Sequence, residues 1–318
     1  MDTQTLLRKI TALPVIAADL AEDLLAGDFR SIFKGQGMEF DEARHYQPGD
    51  DVRFIDWNAN ARFGIPYVKI YREERELTVL ILLDVSASMQ RGSFARRSDS
   101  GGGAGGGDTE TPSPYEQGLI SAALIALSAE RTGQKTGAFF FDSDIQRSFP
   151  PRKGSRHIMS IVSAGLQYAN YATGGGEGGY GRSSNINAAL NAAARMLKRR
   201  GLIVLISDFF SMNWEQQLGG LNSRHDVIAI RISDYMEKNL PDIGLISMED
   251  PETGMLIEAA TNRLSFREEW ADWHRQRSEL WAAQCRRYGI AHLELQTQAD
   301  AGAALLRFFG SRQHRELS

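Results

Sequence analysis

From Leu77 to Met89 the chain reads LTVLILLDVSASM. The run from Val79 to Leu83 is unbroken and apolar, too short for a buried helix and suited to a strand covered on both faces, as in a parallel sheet. Such a strand puts Asp84 at its carboxyl end, where open α/β sheets hold their ligands in the crevice outside the strand termini. Asp84, Ser86 and Ser88 follow on alternate positions of a turning segment, so one carboxylate and two hydroxyls can face that crevice. These are hard oxygen donors, and they suit Mg²⁺ or Mn²⁺ rather than a metal that prefers thiolates.

The rest of the chain alternates in the same style. Helical patterns at Tyr115–Arg131, Ser155–Ala169, Asn185–Arg199, Asn213–Asn222, Leu264–Tyr288 and Ala301–Phe309 are interleaved with strand patterns at Lys135–Phe141, Leu202–Ile206, Asp226–Ile232 and Ala291–Leu295. Two short strands are expected at Leu245–Met248 and Met255–Glu258. Alternation of this kind specifies an α/β protein with a doubly wound, mostly parallel sheet. Phe266, Trp270, Trp273, Leu280, Trp281 and Gln284 keep helical spacing and are expected to form a packing stripe. Arg91–Pro114 contains GGGAGGG and little that can be buried, so it reads as a flexible insertion in the domain spanning 77–312.

Residues 1–76 have a different texture. An apolar helical stripe runs from Leu6 to Leu25, interrupted by Pro14. Then come short aromatic and charged segments, with strands expected at Met38–Tyr46 and Ile65–Tyr71 around a Pro48-Gly49-Asp50-Asp51 turn. Arg44, Arg53 and Arg62 alternate there with Asp41, Asp50 and Asp56, as either a recognition face or an ion-pair network.

A net charge of −4 gives no general footprint for nucleic acid or an anionic membrane surface. Cys285 is the only cysteine, which excludes an intrachain disulfide and fits a reducing cytoplasm. No stretch approaches the roughly 18 apolar residues of a membrane span. The six histidines are scattered, and no GxxxxGK[ST] loop is present, so nucleotide hydrolysis would have to come from a partner.

Two further positions complete the expected site. Ser183-Ser184-Asn185 opens a helix after the glycine-rich stretch Gly174–Gly181, and Asp208 follows the strand Leu202–Ser207. If these strands are sheet neighbours, the donors Asp84, Ser86, Ser88, Ser184 and Asp208 converge as an octahedral Mg²⁺ site that keeps waters, with Ser183 an alternative to Ser184. Hydroxyls that merely cap loops and helices are the competing explanation. An Mg²⁺-dependent phosphatase or phosphotransferase with Asp84 as nucleophile is the enzymatic alternative. It is disfavoured because the position two residues on, which needs a general acid, is Ser86.

This constellation resembles the von Willebrand factor A fold and its metal-ion-dependent adhesion site (MIDAS), with Asp84, Ser86 and Ser88 as the DxSxS motif, Ser184 where the family usually has threonine, and Asp208 as the late aspartate. The upstream stretch GMEFDEARHYQPGDDVRFIDWNANARFG looks like the signature of the DUF58 family. That resemblance covers about residues 30–310 and implies a von Willebrand A-like domain acting beside a MoxR-type AAA+ ATPase. It also implies a non-enzymatic adaptor or substrate-recognition module in chaperone-like assembly or maturation. Mg²⁺ or Mn²⁺ at the site would then accept a carboxylate oxygen from a partner or client.

Overall fold

A computed structural model of the chain describes residues 13, 16–21, 38–47, 50, 55–57, 59, 62, 64, 66–73, 77–90, 112–171, 183–249 and 256–315. The glycine-rich segments at 91–111 and 172–182 therefore lie outside the described residues, as do Pro48, Gly49, Asp51 and Arg53. Two compact units are present, Met1–Gly27 with Leu77–Ser318, and Asp28–Glu76.

In the smaller unit β1 (Met38–His45) pairs antiparallel with β2 (Tyr67–Glu73), with a bulge between Phe40 and Glu42. Arg44 grips Asp50 with both arms of its guanidinium, at 2.9 and 2.7 Å, and the Gln47 amide donates to the same carboxylate at 2.8 Å. The hydrogen bond from Arg44 is the main reason that the Asp50 carboxyl lies below its ordinary range. For this pair, the ion-pair reading of the charged segment describes the geometry.

The larger unit runs β3 (Thr78–Asp84), α1 (Ala87–Gln90), α2 (Pro114–Arg131), β4 (Lys135–Phe141), β5 (Ile145–Arg152), α3 (Ser155–Tyr171), α4 (Ile186–Met196), β6 (Leu202–Ser207), α5 (Glu215–Asn222), β7 (Asp226–Ser233) and α6 (Tyr235–Lys238). It continues with β8 (Leu245–Glu249), β9 (Leu256–Ala260), α7 (Leu264–Arg287), β10 (Ala291–Gln296) and α8 (Ala301–Arg315). Six strands form one sheet in the order β10-β7-β6-β3-β4-β5, and all pairs except β4 with β5 are parallel. β8 and β9 form a separate antiparallel pair.

Why the chain adopts this arrangement is visible in β3. Val79 to Leu83 are all buried, and burying one such side chain stabilises by about 1.5–3 kcal/mol. Leu80 and Leu82 join Ala189, Leu218 and Trp281 in the core under α4, α5 and α7. Leu83 and Ile206 point the other way, toward Gly118 of α2, where an added Cβ would stand 3.2 Å from each. Helices therefore cover both faces, and an uninterrupted apolar strand is what that environment selects.

Several elements differ from expectation. β5 reads IQRSFPPR without alternation and carries Pro150 and Pro151; it is an edge strand with an irregular register beside the prolines, where proline is tolerated. Ser113 and Pro114, assigned by composition to the flexible insertion, start α2. Ser113 and Glu116 form a capping box, with the Glu116 amide donating to Ser113 Oγ at 3.2 Å and the Ser113 amide to Glu116 Oε2 at 2.7 Å. α4 ends at Met196 rather than Arg199, because Leu197 turns into an extended conformation and is buried. The described helical residues 16–21 belong with the larger unit, whereas the sequence boundary was drawn after residue 76; Ala17, Leu20 and Ala21 are buried, and Ile16 lies against Gly302 of α8. Among the described residues no helix is long and apolar enough to cross a membrane.

Close strand approach is built in at Gly201, where an added Cβ would stand 2.7 Å from the Thr78 carbonyl oxygen. Gly201→Ala is expected to lower the unfolding free energy by ~1–3 kcal/mol, since backbone cannot yield as a side-chain tip can. Urea denaturation measures this, and an unchanged midpoint would show that β3 and β6 move apart without cost.

Candidate metal centre

The sheet order reverses between β3 and β6: the chain leaves β3 toward β4 and β5, then returns to the other side of β3 as β6. At such a reversal the connecting loops diverge and leave a crevice at the carboxyl ends of the strands. Asp84 is the last residue of β3, and Ser207 the last of β6, one position beyond the Leu83–Ile206 pair.

Asp84 is fully buried. Its Oδ1 accepts the Ser86 amide at 2.9 Å, and its Oδ2 accepts the hydroxyls of Ser184 at 2.6 Å and Ser207 at 2.7 Å. Ser86 Oγ and Ser88 Oγ are 3.1 Å apart, and the Ser88 hydroxyl bonds in turn to Asp208. Asp208 is also buried, and its Oδ1 accepts the Phe210 amide at 3.0 Å. All the residues singled out as donors are thus gathered at one point. Of the two serines before α4, Ser184 reaches Asp84, whereas Ser183 is exposed.

Each loop is held from behind. Asn185 caps α4 by accepting the Ala188 amide at 3.2 Å, and its own amide donates to the Asp142 carbonyl at 2.8 Å. The Ser211 hydroxyl donates to the Ser184 carbonyl, joining the loop before α4 to the loop after β6. In that second loop Phe209 adopts a left-handed φ of 57°, uncommon for a bulky residue, with its ring wedged 5.1 Å from Trp214 and 5.4 Å from Trp281. Arg277 of α7 donates from Nη2 to the Phe209 carbonyl at 2.7 Å and stacks 3.5 Å over the Phe210 ring.

Sequence reasoning missed Ser207 and Arg277. Ser207 had a faint signal, a polar residue closing an otherwise apolar strand. Arg277 had none, because nothing local links the middle of a long helix to a loop about 70 residues earlier.

Burial dominates the electrostatics of the site. Burial, and then the negative charge of Asp208, push the Asp84 carboxyl up to about 7. Asp208 is raised as well, chiefly by burial, against the hydrogen bonds from Ser88 and the Phe210 amide and the pull of Arg277. Two buried carboxyls that resist ionising together are relieved by a cation. Among the described residues no group of three or more His, Cys, Asp or Glu is gathered; the cluster offers two carboxylates and serine hydroxyls. That donor set fits a hard dication which keeps part of its water shell, and does not fit a soft metal.

One strand further out lies a buried charge network. Arg231 of β7 sits in register between Ser207 on β6 and Glu294 on β10. Its guanidinium pairs with Glu237 at 2.7 Å and Glu294 at 3.3 Å, and His274 Nδ1 is 3.2 Å from Glu237. Burial raises the Glu237 carboxyl, but the close approach of His274 and the Arg231 guanidinium outweigh it and bring it down to about 2. Because this lies below the ordinary 4.5, the stabilisation is complete above pH 4.5 and is lost as pH falls toward 2. Glu237→Gln is expected to cost up to ~3–5 kcal/mol at neutral pH, since it removes one of the two carboxylates that face a buried guanidinium, and the gap from wild type should narrow at pH 3. Urea titrations at both pH values test this; an equal gap would remove Glu237 as the titrating group.

Comparison with known proteins agrees with the sequence signature. The profile of the family described as "Protein of unknown function DUF58" matches residues 42–100 and 110–279. An uncharacterised protein of Mycobacterium bovis is 28% identical over 319 aligned residues, covering 100% of this chain and 93% of its own length. One from Mycobacterium avium is 34% identical over 139 residues, covering 43% of this chain and 82% of its own. Among solved structures, an aerotolerance-related membrane protein from Bacteroides fragilis aligns over 75% of this chain and 99% of its own, with 16% identity and a TM-score of 0.41.

Proposed function

The chain belongs to the DUF58 family, and we propose on that footing that it is a non-enzymatic, metal-dependent protein-protein interaction module of the von Willebrand factor A type. Asp84, Ser86, Ser88, Ser184 and Asp208 would hold one Mg²⁺ or Mn²⁺. The observation that carries this is the convergence of two buried carboxyls and their serine partners at the strand-order reversal, with Asp84 pushed up to about 7 by burial and then by the charge of Asp208. Once bound, the ion supplies an electrophilic position that accepts a carboxylate oxygen from another protein. The chain's own hydroxyls orient the carboxylates around it, and Ser207 fixes the outer oxygen of Asp84.

The partner that this role calls for is a MoxR-type AAA+ ATPase, which contributes the nucleotide hydrolysis for which the chain has no P-loop, while this chain recognises a client. A cytoplasmic setting is part of the proposal, supported by the single thiol, Cys285. A binding role is favoured over phosphoryl transfer by the groups around Asp84. Its partners are the hydroxyls of Ser184 and Ser207 and the Ser86 amide, and a serine hydroxyl is a poor general acid at neutral pH.

Calorimetry should detect one divalent ion per chain, and a hundredfold excess over Kd should stabilise the fold by about 2.7 kcal/mol. Asp84→Ala should abolish both effects; an unchanged heat in that variant would sink the metal site. With Mg²⁺ present the protein should release no phosphate from nucleotides or generic phosphoesters. Turnover that disappears in Asp84→Asn would instead make Asp84 a nucleophile.

A further inference from the structure

The rim of the metal centre carries apolar surface that the core does not use. Met212, Trp273 and Leu280 are 82%, 52% and 61% exposed. Two of these were expected to pack, and the stripe along α7 in fact divides. Trp281 and Cys285 are buried, and Trp270 turns its Nε1 to the Met236 carbonyl at 3.0 Å. Trp273, Arg277 and Leu280, at i, i+4 and i+7, share a different face of the helix.

Arg277 joins that face to the loop that carries Asp208. Its guanidinium lies 3.5 Å over Phe210 and 5.6 Å from the Trp273 ring, and it holds the Phe209 carbonyl. Phe209 and Asn213 bracket the loop with φ of 57° and 61°, so Phe210, Ser211 and Met212 are displayed between two left-handed residues that are not glycine. Backbone of this kind persists where the surroundings over-determine it, and it gathers at binding sites. Single exposed apolar residues need no explanation, but Trp273 and Leu280 share a helix face with Arg277, which is itself stacked on Phe210, and a tryptophan beside an arginine has the composition of an interface hot spot.

We propose that Trp273 and Leu280, on the α7 face that carries Arg277, and Met212, two residues beyond the Phe210 on which Arg277 stacks, form the second half of a docking surface for an extended acidic-apolar segment of a partner protein. A carboxylate of that segment goes to the metal centre, and a large aromatic or aliphatic side chain a few residues away covers the apolar rim. The acidic character follows from charge complementarity: two carboxylates only balance a dication, and Arg277 adds a positive charge at the rim. This rests on the metal-dependent role proposed above, and it goes further by assigning the recognition of the partner to residues that bind no metal.

The test is panning of a random linear peptide library over the full-length protein in Mg²⁺, followed by binding of the enriched peptides to variants. Enriched peptides should pair Asp or Glu with a nearby Trp, Phe, Leu or Met. Trp273→Ala and Leu280→Ser should each weaken those peptides roughly tenfold, with Mg²⁺ affinity and melting temperature unchanged. Asp84→Ala should abolish both peptide and Mg²⁺ binding. Peptides that lack the apolar residue, or that bind the Trp273 and Leu280 variants as wild type, would overturn the rim while leaving the metal role intact. Absence of Mg²⁺ binding by the wild type would remove the metal role, and the docking surface with it. Concentration-dependent dimerisation that Trp273→Ala abolishes would assign the rim to a second copy and also overturn the proposal.

Discussion

Everything at the functional end of this protein depends on how Asp84 is buried. The residue ends a strand that is paired on both sides, so the sheet delivers its carboxyl into a buried position at the strand end. A carboxyl in such a place must be satisfied by groups that the rest of the chain brings to it. The Ser86 amide, the Ser184 hydroxyl and the Ser207 hydroxyl do this, and they come from three separate stretches of sequence. The loops are therefore tied to one another through the acid, and the geometry of the cluster is a property of the sheet order.

Burial also sets the chemistry. Burial raises the cost of ionising both Asp84 and Asp208, the charge of Asp208 adds to it for Asp84, and Arg277 works against it at Asp208. The neighbouring Arg231–Glu237–His274 group is the opposite case, a buried acid whose charge is compensated within the protein. The two lie one strand apart: the Arg231 group is closed on itself and joins β7, α6 and α7, while Asp84 and Asp208 are satisfied by hydroxyls and amides.

α7 links the two regions and presents a surface of its own. One side of the helix packs Trp281 and Cys285 into the core, a second meets the closed charge network through His274, and a third carries Arg277 to the loop after β6. Trp273 and Leu280 flank that arginine in solvent, so exposed and packed residues are divided around a single helix.

Much of this was legible in the sequence. The apolar run before Asp84 identified a strand buried on both faces, and the alternation of periods identified a mostly parallel α/β sheet, because each period reports one local environment. Asp84, Ser86, Ser88, Ser184 and Asp208 could be named because donors at strand ends and helix starts meet whenever the strands are neighbours. Local pattern also misled where it was ambiguous: β5 hid behind its prolines, and helical spacing counted Trp273 and Leu280 as core, since a repeat gives the angle of a side chain but not what lies opposite it. Whether Ser183 or Ser184 reaches the acid, the part played by Ser207, and the stacking of Arg277 on Phe210 were decided only by the tertiary structure. Each depends on distances between segments far apart in the chain, and those distances are set by strand order and helix packing, which no local pattern encodes.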